Sequence, residues 1–221
     1  MTPAAAMVFA AGLGTRMGAL AADRPKPLVP VAGRALIDHA LAHTGALPRV
    51  VVNTHHRAGQ IAGHLRGRAV RISHEAELLD TGGGLKAALP HLGPGPVFTL
   101  NSDAVWSGPN PLEVLAAAWR PGMAALLLLV PGERTRGRLG GGDARMAPDG
   151  HLIWGGDMVY TGAQIVETAP LAAIPEPVFP MQRLWALGGG SLHAVAYPGL
   201  WCDAGHPAGV AAAEAMLAGA P

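Results

Sequence analysis

The stretch AAMVFAAGLGTRM, residues 5–17, decides the fold of this chain. It begins with the near-continuous apolar run 5–9, which is typical of a strand buried on both faces of a sheet, and it then turns through small residues. Similar short apolar runs recur at 49–53, 70–72 and 97–100. We therefore expect these runs to form the strands of a parallel sheet.

Segments with helical spacing separate these strands, and they cover residues 36–44, 60–65, 84–89 and 112–119. Strand and helix therefore alternate through the first half of the chain. This alternation predicts an α/β fold with a doubly wound, mostly parallel sheet in an α/β/α sandwich. In such folds ligands bind beyond the carboxyl ends of the strands.

The second half of the chain is less regular. Apolar segments at 124–130, 158–166 and 192–197 predict strands that extend the sheet, and 207–218 predicts a closing helix with proline in its first turn. The glycine-rich stretch 137–142 predicts a mobile loop. Because the 221 residues contain no linker and no internal repeat, we expect a single domain over 1–221.

The composition excludes several classes of protein. Sixteen basic residues balance fifteen acidic ones, so no net field favours nucleic acid or an anionic membrane as partner. No apolar run approaches the ~20 residues of a membrane span, and the start lacks the pattern of a secretory signal. We expect a soluble, cytoplasmic protein, and we expect its single cysteine, Cys202, to be a buried thiol.

The turn after the first strand has the character of a phosphate site. Residues 10–17 are small and expose backbone N–H groups, and Arg16 stands where it could grip an anion. The turn is not a dinucleotide fingerprint, because the third glycine would fall at Met17, and no Gly-Lys-Ser/Thr of a Walker A loop follows. Two prolines bracket Lys26 and fix its backbone. A solvated surface lysine is the ordinary alternative, but together with Arg16 it would neutralise a triphosphate.

These two segments together resemble a family signature. AAGLGTRM at 10–17 followed by PKPLVPVAG at 25–33 is similar to the motifs of the sugar-1-phosphate nucleotidyltransferases. The resemblance implies a Rossmann-like nucleotidyltransferase fold, close to that of type A glycosyltransferases, and catalytic contacts from Arg16 and Lys26 to the phosphates. It also implies that the backbone of the turn holds the nucleotide, at Ala10, Ala11, Gly12 and Gly14.

A further segment extends the resemblance to the nucleotide base. EAELLDTGGG at 75–84 joins acidic residues to glycines that suit close approach of a flat base, and the family binds its base here. The resemblance implies nucleotide contacts at Glu75, Thr81, Gly82 and Asn101. Glu75 stands where many relatives have glutamine, and its carboxylate could accept the N3–H of uracil or thymine. A solvated acidic loop is the alternative.

Two aspartates match the metal ligands of the family. NSD at 101–103 resembles its Asn-Gly-Asp element, and WCDAG at 201–205 resembles its Trp-x-Asp-x-Gly element. The resemblance makes Asp103 and Asp203 ligands of Mg²⁺, with Asp103 catalytic as well. Two carboxylates suit Mg²⁺, which takes few protein ligands. Aspartates at strand ends also cap turns, and the residues alone leave that alternative open.

Three features are most similar to a short bacterial branch that acts on N-acetylmuramic acid 1-phosphate: TGGG at 81–84, the small size, and LWCDAG at 200–205 before an Ala/Glu-rich helix. The resemblance implies sugar contacts at Asp143 and Gly162. The segment GGGDA at 140–144 departs from the Gly-Arg-Gly-Asp-Phe element of that branch. It lacks both the arginine before the glycine and the phenylalanine.

The implied reaction is attack of the sugar phosphate on UTP, which gives a UDP-sugar and pyrophosphate in cell-wall sugar recycling. The implied partners are therefore UTP and a sugar 1-phosphate, and the protein is expected to be a monomer or homodimer. Thymidylyl or guanylyl transfer to glucose or mannose 1-phosphate remains an alternative, as does a non-catalytic nucleotide-sugar sensor. We interpret the ten histidines as surface or loop residues and the tryptophans as packing residues, with Trp106 and Trp154 as candidates for the sugar pocket.

Overall fold

The computed structural model describes residues 2–45 and 47–219. Its strands are β1 (Ala5–Phe9), β2 (Pro30–Val31), β3 (Arg34–Ala35), β4 (Arg49–Thr54), β5 (Arg71–His74), β6 (Val97–Asn101), β7 (Ala104–Ser107), β8 (Ala125–Pro131), β9 (Thr135–Arg136), β10 (Ala144–Met146), β11 (Leu152–Trp154), β12 (Met158–Val166), β13 (Leu192–Ala196) and β14 (Leu200–Asp203). Its helices are α1 (Leu36–Ala42), α2 (Ala58–His64), α3 (Asp80–Leu92), α4 (Pro111–Ala118), α5 (Met181–Leu187) and α6 (Pro207–Leu217). None of the helices in these ranges combines the length and the apolarity that a bilayer crossing needs.

The central sheet has nine strands, in the order β11-β10-β12-β6-β1-β4-β5, with β8 beside β12 and β13 beside β8. Strands β6, β1, β4 and β5 are parallel, as predicted. Strand β12 is antiparallel to both β6 and β8. No α-helix lies between β8 and β12, and strands joined without a crossover run antiparallel. The predicted fold class is confirmed, and every antiparallel pair of the central sheet includes a strand from the second half of the chain.

Side chains of β1 alternate between two apolar cores, which shows that both faces of the sheet are covered. Ala6 and Val8 belong to a core closed by α1, α2 and α4. Ala5 and Met7 belong to the opposite core, which is closed by α3 and α5. Leu126 and the other side chains of β8 alternate in the same way. The α/β/α sandwich predicted from the continuous apolar strands is therefore present.

A third, smaller core lies at one end of the sandwich. The small sheet β7-β14-β9 packs there against α6, around the fully buried side chains of Met17 and Cys202. The predicted buried thiol is confirmed, and burial, followed by the charge of Asp203, raises its pKa to about 12. His206 is the N-cap of α6, and its Nδ1 accepts a hydrogen bond from the Gly209 N–H at 3.1 Å.

His206, one of the histidines interpreted as surface or loop residues, lies in the loop between β14 and α6 but not at the surface. Its side chain is buried, and both ring nitrogens are used, Nδ1 at the start of α6 and Nε2 at 2.6 Å from the Gly137 carbonyl. A helix N-cap needs an acceptor for a backbone N–H, and a neutral imidazole provides one while its other nitrogen donates. His206 therefore ties the 137–142 loop to α6.

Candidate active site

Two cavities meet at the carboxyl ends of β1 and β6. The first, which we call the turn cavity, has a volume of about 650 Å³ and is lined by Phe9, Ala11, Gly12, Arg16, Lys26, Asn53, Glu75, Leu78, Asp80, Thr81, Asn101, Asp103 and Val178. The second, the tryptophan cavity, has a volume of about 810 Å³ and is lined by Arg16, Asn101, Asp103, Ala104, Arg138, Gly142, Asp143, Trp154, Tyr160, Thr161, Gly162, Gln182, Trp185, Trp201 and Asp203. Arg16, Asn101 and Asp103 line both cavities, so these residues form the shared wall.

Strand pairing brings the two predicted metal ligands together at this wall. Asp203 ends β14 directly opposite Ala104 of β7, and the Ala204 N–H donates to the Asp103 carbonyl at 2.9 Å. A Cβ atom at Gly205 would lie 2.8 Å from Asp203 Oδ1, 2.9 Å from Asp103 Oδ2 and 3.0 Å from Arg16 Nη2. The two carboxylates and the guanidinium therefore converge on one point, which only a glycine leaves open.

The two predicted cations pair with these carboxylates. Lys26 Nζ lies 2.6 Å from Asp103 Oδ2, and both side chains are mostly buried. Arg16 Nη1 lies 3.8 Å from Asp203 Oδ2, with 57% of its side chain exposed. The structure thus brings together Arg16, Lys26, Asp103 and Asp203, which lie far apart in the sequence.

Gly14 does not line either cavity in the structure. Its φ of +68° lies in the left-handed region, and a Cβ there would come within 2.8 Å of Lys26 Cβ. The expectation that Gly14 contacts the nucleotide therefore stays a prediction, and the structure assigns Gly14 a contact within the protein. Its missing side chain makes room for Lys26, and its backbone conformation turns the chain.

A buried chain of hydrogen bonds lies behind the turn. The Ala10 N–H donates to Asn53 Oδ1 at 2.7 Å, and Asn53 Nδ2 donates to Glu75 Oε1 at 2.7 Å. The other oxygen of Glu75 accepts the Leu79 N–H at 3.0 Å. Because its N–H is already paired with Asn53, Ala10 does not present that donor to a ligand, and its expected nucleotide contact stays a prediction. Ala11 and Gly12 line the turn cavity.

Glu75 is only 2% exposed, so the alternative of a solvated acidic loop is excluded. Glu75 lines the turn cavity, and both of its carboxylate oxygens accept hydrogen bonds from the protein. Asn53, which links it to the first turn, was missed by sequence reasoning. The available signal was a polar residue at the carboxyl end of the apolar run 49–53, where a parallel sheet binds its ligands.

The glycines at the start of α3 allow other parts of the protein to pack closely against the helix. A Cβ at Gly82 would lie 2.5 Å from the Phe179 ring, and one at Gly84 would lie 2.6 Å from Glu75 Oε1. Gly82 is buried and lines neither cavity, and its expected nucleotide contact stays a prediction. Thr81 does line the turn cavity, and its hydroxyl accepts the Met181 N–H at 3.0 Å.

Asp143 and Gly162, the predicted sugar contacts, both line the tryptophan cavity. Asp143 Oδ1 accepts from Arg138 Nη2 at 2.7 Å, and Oδ2 accepts the Tyr160 N–H at 2.9 Å. Gly162 lies in a bulge of β12 with φ +77°, where a side chain would collide with Asn101. Arg138 stands five residues before Asp143 and was missed, because the Gly-Arg-Gly-Asp-Phe element carries its arginine two residues before the aspartate.

The predicted mobile loop 137–142 is irregular but fixed at both ends. Gly137 packs closely against Gly209, because a Cβ atom built on Gly137 would lie 2.9 Å from the Gly209 Cα. The carbonyl of Gly137 accepts a hydrogen bond from His206. At the other end the Asp143 N–H donates to the Met158 carbonyl at 2.7 Å. Only the central residues, such as Leu139 at 64% exposure, face solvent freely. Mobility of that central part stays a prediction.

Aromatic rings form one wall of the tryptophan cavity. Trp154 is 49% exposed and lies 5.3 Å from Trp185 between ring centroids, and Tyr160 meets Trp185 edge-on at 5.6 Å. Trp106 was a wrong candidate, because it is buried and packs against Tyr197 at 4.8 Å. Trp185 and Trp201, which also line the cavity, carried no signal in the sequence that separated them from packing residues.

Residues 2–45 and 47–219 contain no cluster of three or more His, Cys, Asp or Glu side chains arranged to hold a metal. Asp103 and Asp203 are a pair of carboxylates beside two cations. Such a pair suits a hard cation that shares its coordination with bound phosphates, since Mg²⁺ is often held by one or two carboxylates together with substrate oxygens.

Comparison with known proteins places this site in a family. The family model described as MobA-like NTP transferase domain matches residues 6–216. The N-acetylmuramate alpha-1-phosphate uridylyltransferase of Caulobacter vibrioides is 40% identical over 236 aligned residues, which cover 98% of each chain. Among solved structures, HddC from Yersinia pseudotuberculosis complexed with GMP-PN has a TM-score of 0.77 at 19% identity, covering 98% of this chain and 100% of HddC.

The inositol-1-phosphate CTP transferase from T. maritima has a TM-score of 0.75 at 13% identity, and the match covers 100% of this chain and 99% of that one. At such low identities the two structures bear on the fold alone, and they share it over nearly the whole length. The resemblance drawn from the motifs is confirmed, and the chain belongs to the MobA-like NTP transferase family as a sugar-1-phosphate nucleotidyltransferase.

Proposed function

We propose that the protein is a Mg²⁺-dependent uridylyltransferase that joins UTP to N-acetylmuramic acid 1-phosphate and releases pyrophosphate. The observation that carries this proposal is the convergence of Asp103, Asp203 and Arg16 on one point where two cavities meet. A reaction between two anionic substrates needs such a meeting point. The relative from Caulobacter, whose name states this activity, supports the choice of both substrates.

We assign the nucleotide to the turn cavity and the sugar phosphate to the tryptophan cavity. The turn cavity offers the backbone of Ala11 and Gly12 for phosphates and the carboxylate of Glu75 as an acceptor for the N3–H of uracil. The tryptophan cavity offers exposed aromatic surface at Trp154 and polar groups such as Asp143. Apolar sugar faces pack on aromatic rings while hydroxyls bind polar groups.

The reaction needs no protein nucleophile. A phosphate oxygen of the sugar 1-phosphate is already ionised, and it attacks the α-phosphorus of UTP in line. A new P–O bond forms, the bond between the α-phosphorus and the bridging oxygen breaks, and pyrophosphate leaves with that electron pair. Arg16 and Lys26 reduce the repulsion between the two anions, and the cavity walls hold the reacting atoms in line.

Asp103 and Asp203 fit the role of Mg²⁺ ligands. Their oxygens face one point that a side chain at position 205 would fill, and oxygen donors are what Mg²⁺ prefers. A carboxylate has about four lone-pair sites, so Asp103 can accept from Lys26 and still bind a metal. When bound, Mg²⁺ supplies charge neutralisation on the phosphates and helps orient them.

We further propose that the enzyme works in the cytoplasm and serves the recycling of cell-wall sugar. Both proposed substrates carry several negative charges, and such charges are expensive to move into a bilayer. An enzyme that consumes them is therefore expected where they are made. The proposed substrates can be tested by direct measurement.

The test is pyrophosphate release with purified protein, with the common nucleoside triphosphates crossed against N-acetylmuramic acid, N-acetylglucosamine, glucose and mannose 1-phosphates. Each pair is run with Mg²⁺ and with excess EDTA. We expect activity with UTP and N-acetylmuramic acid 1-phosphate, and loss of that activity in EDTA. Activity only with another pair would replace the substrates, and nucleotide binding without turnover would favour a sensor.

A further inference from the structure

We propose that Arg138 selects sugar phosphates that carry a carboxylate, by donating hydrogen bonds to that carboxylate in the tryptophan cavity. This inference rests on the proposed function, because it names the group through which the same site recognises its sugar. N-acetylmuramic acid differs from N-acetylglucosamine by a lactyl ether that ends in a carboxylate. A cavity that encloses this charge must offset its lost hydration with a cation or with hydrogen-bond donors.

Arg138 is the cation in the tryptophan cavity that can bind the carboxylate of the sugar. The lining contains two cations, Arg16 and Arg138, and three carboxylates, of Asp103, Asp143 and Asp203. Arg16 lies 3.8 Å from Asp203 at the point where the carboxylates converge, which is the phosphate end of the proposed site. Arg138 pairs instead with Asp143, on the loop that bounds the sugar end.

The hydrogen bonding of Arg138 is incomplete. A guanidinium carries five N–H donors, and Nη2 of Arg138 donates to Asp143 Oδ1 at 2.7 Å. Its Nε is enclosed and has no hydrogen-bond partner among the described residues. A buried donor without an acceptor calls for an explanation. Because 28% of the side chain remains exposed and Arg138 lines the tryptophan cavity, a ligand in that cavity can reach the side chain and accept from donors other than Nε.

The guanidinium is also held in place before any ligand arrives. Asp143, its partner, is fixed by the Tyr160 N–H at 2.9 Å. The preceding residue, Gly137, is wedged against α6 and bound by His206. A side chain oriented in advance loses less entropy when it binds, and a rigid arginine fork matches the geometry of a carboxylate.

The competing explanation is that Arg138 only clamps the loop through Asp143. The variant Arg138→Gln separates the two, with kcat/KM measured for N-acetylmuramic acid 1-phosphate and for N-acetylglucosamine 1-phosphate, each with UTP. A charge-assisted hydrogen bond predicts that the ratio of the two values falls about 10- to 100-fold. The value for N-acetylglucosamine 1-phosphate should change by less than about threefold. A clamp alone predicts equal losses for both substrates and an unchanged ratio.

Two further variants complete the experiment. Arg145→Gln removes a cation from the exposed strand β10 that lines neither cavity, and it should leave both values unchanged. Arg138→Lys keeps the charge but loses the fork, so an intermediate ratio is expected, and it replaces Arg138→Gln if that variant does not fold. If the Arg138 variants left the ratio of the two kcat/KM values unchanged, or if the wild-type ratio were near one, the role of Arg138 would be wrong and the proposed function would stand. A wild-type enzyme inactive on N-acetylmuramic acid 1-phosphate would overturn the proposed function as well.

Discussion

At the scale of single residues, the proposed reaction depends on the carboxylate of Asp103. Asp103 accepts from Lys26 at 2.6 Å and faces Asp203 across the position of Gly205. Asp103→Asn keeps the size of the side chain but removes its charge. Because a metal contributes several kcal/mol to transition-state stabilisation, we expect turnover to fall about 1000-fold or more. Pyrophosphate release measures the rate, and circular dichroism checks the fold.

The matched control for this change is Asp157→Asn. Asp157 is exposed and lines neither cavity, so the same loss of charge should leave turnover unchanged. Near-normal turnover in Asp103→Asn would exclude a role for this carboxylate in the reaction. Equal losses in both variants would indicate that general charge, and not the position at the shared wall, is what matters.

Glu75→Gln is a nearly isosteric change, but we expect it to destabilise the fold because it disrupts one of the two hydrogen bonds that the buried carboxylate accepts. Both carboxylate oxygens of Glu75 accept from donors, Asn53 Nδ2 and the Leu79 N–H. A glutamine has one oxygen, so its NH₂ would face one of these donors in a buried position. We expect a loss of about 1–3 kcal/mol in the free energy of unfolding, measured by urea denaturation. A neutral effect would mean that the chain Ala10–Asn53–Glu75 is not a structural unit.

At the scale of elements, the turn after β1 shows what sequence patterns can and cannot reveal. The run 5–9 predicted the bounds of β1 because a buried parallel strand requires continuous apolar residues. The same pattern could not assign roles within the turn, because these depend on contacts with Lys26 and Asn53, which are distant in sequence. Gly14 was expected to contact the nucleotide, and in the structure it packs against the side chain of Lys26. Such contacts follow from strand register, which local composition does not encode.

Gly14 and Gly33 allow this assignment to be tested with a matched pair of substitutions. Both have positive φ, +68° and +76°, but a Cβ at Gly14 would meet Lys26 Cβ at 2.8 Å while one at Gly33 would meet nothing within 4 Å. Alanine at either position should cost about 1–2 kcal/mol of stability through backbone strain. Only Gly14→Ala should also displace Lys26, and we expect its kcat to fall at least about tenfold.

Thermal unfolding and steady-state kinetics on both variants measure the two effects separately. Gly33→Ala serves as the control for strain, because it keeps Lys26 in place. If the two variants lost stability and kept the same kcat, the proposed seating of Lys26 by Gly14 would be wrong. If both lost kcat, strain in the loops and not the position of Lys26 would set the rate.

At the scale of the whole molecule, the site is assembled from both halves of the chain. β1 and β6 bring the turn and Asp103, while the small sheet β7-β14-β9 brings Asp203 alongside. The alternation of strand and helix predicted the first half, because each βαβ unit is local in sequence. The second half was harder to predict, since the bulge of β12 at Gly162 and the ion pair of Arg138 with Asp143 depend on pairings between segments.

The stability of this assembly is expected to fall in acid because of His43, at the junction of α1 and β7. Burial, followed by the charges of Arg34 and His39, lowers its pKa from 6.5 to about 4. Above pH 6.5 both folded and unfolded chains hold it neutral, so it has no effect there. As the pH falls from 6.5 toward 4, the unfolded chain takes up a proton that the folded chain does not. Unfolding is therefore favoured by roughly 1–3 kcal/mol after allowance for partial exposure.

His43→Phe keeps an aromatic ring beside Trp106, whose ring centroid lies 6.4 Å from that of His43, and removes the titration. Urea denaturation of wild type and variant between pH 7.5 and pH 4 should show a decline in wild type that is largely absent in the variant. Asp38 provides an internal reference at lower pH. Burial would raise its pKa, but hydrogen bonds from His64 and Arg68 hold the pKa below 3.8. Its contribution is present above pH 3.8 and is lost only as the pH falls through its lowered pKa. Parallel curves for the two proteins from pH 7.5 to pH 4 would show that His43 is not the group responsible.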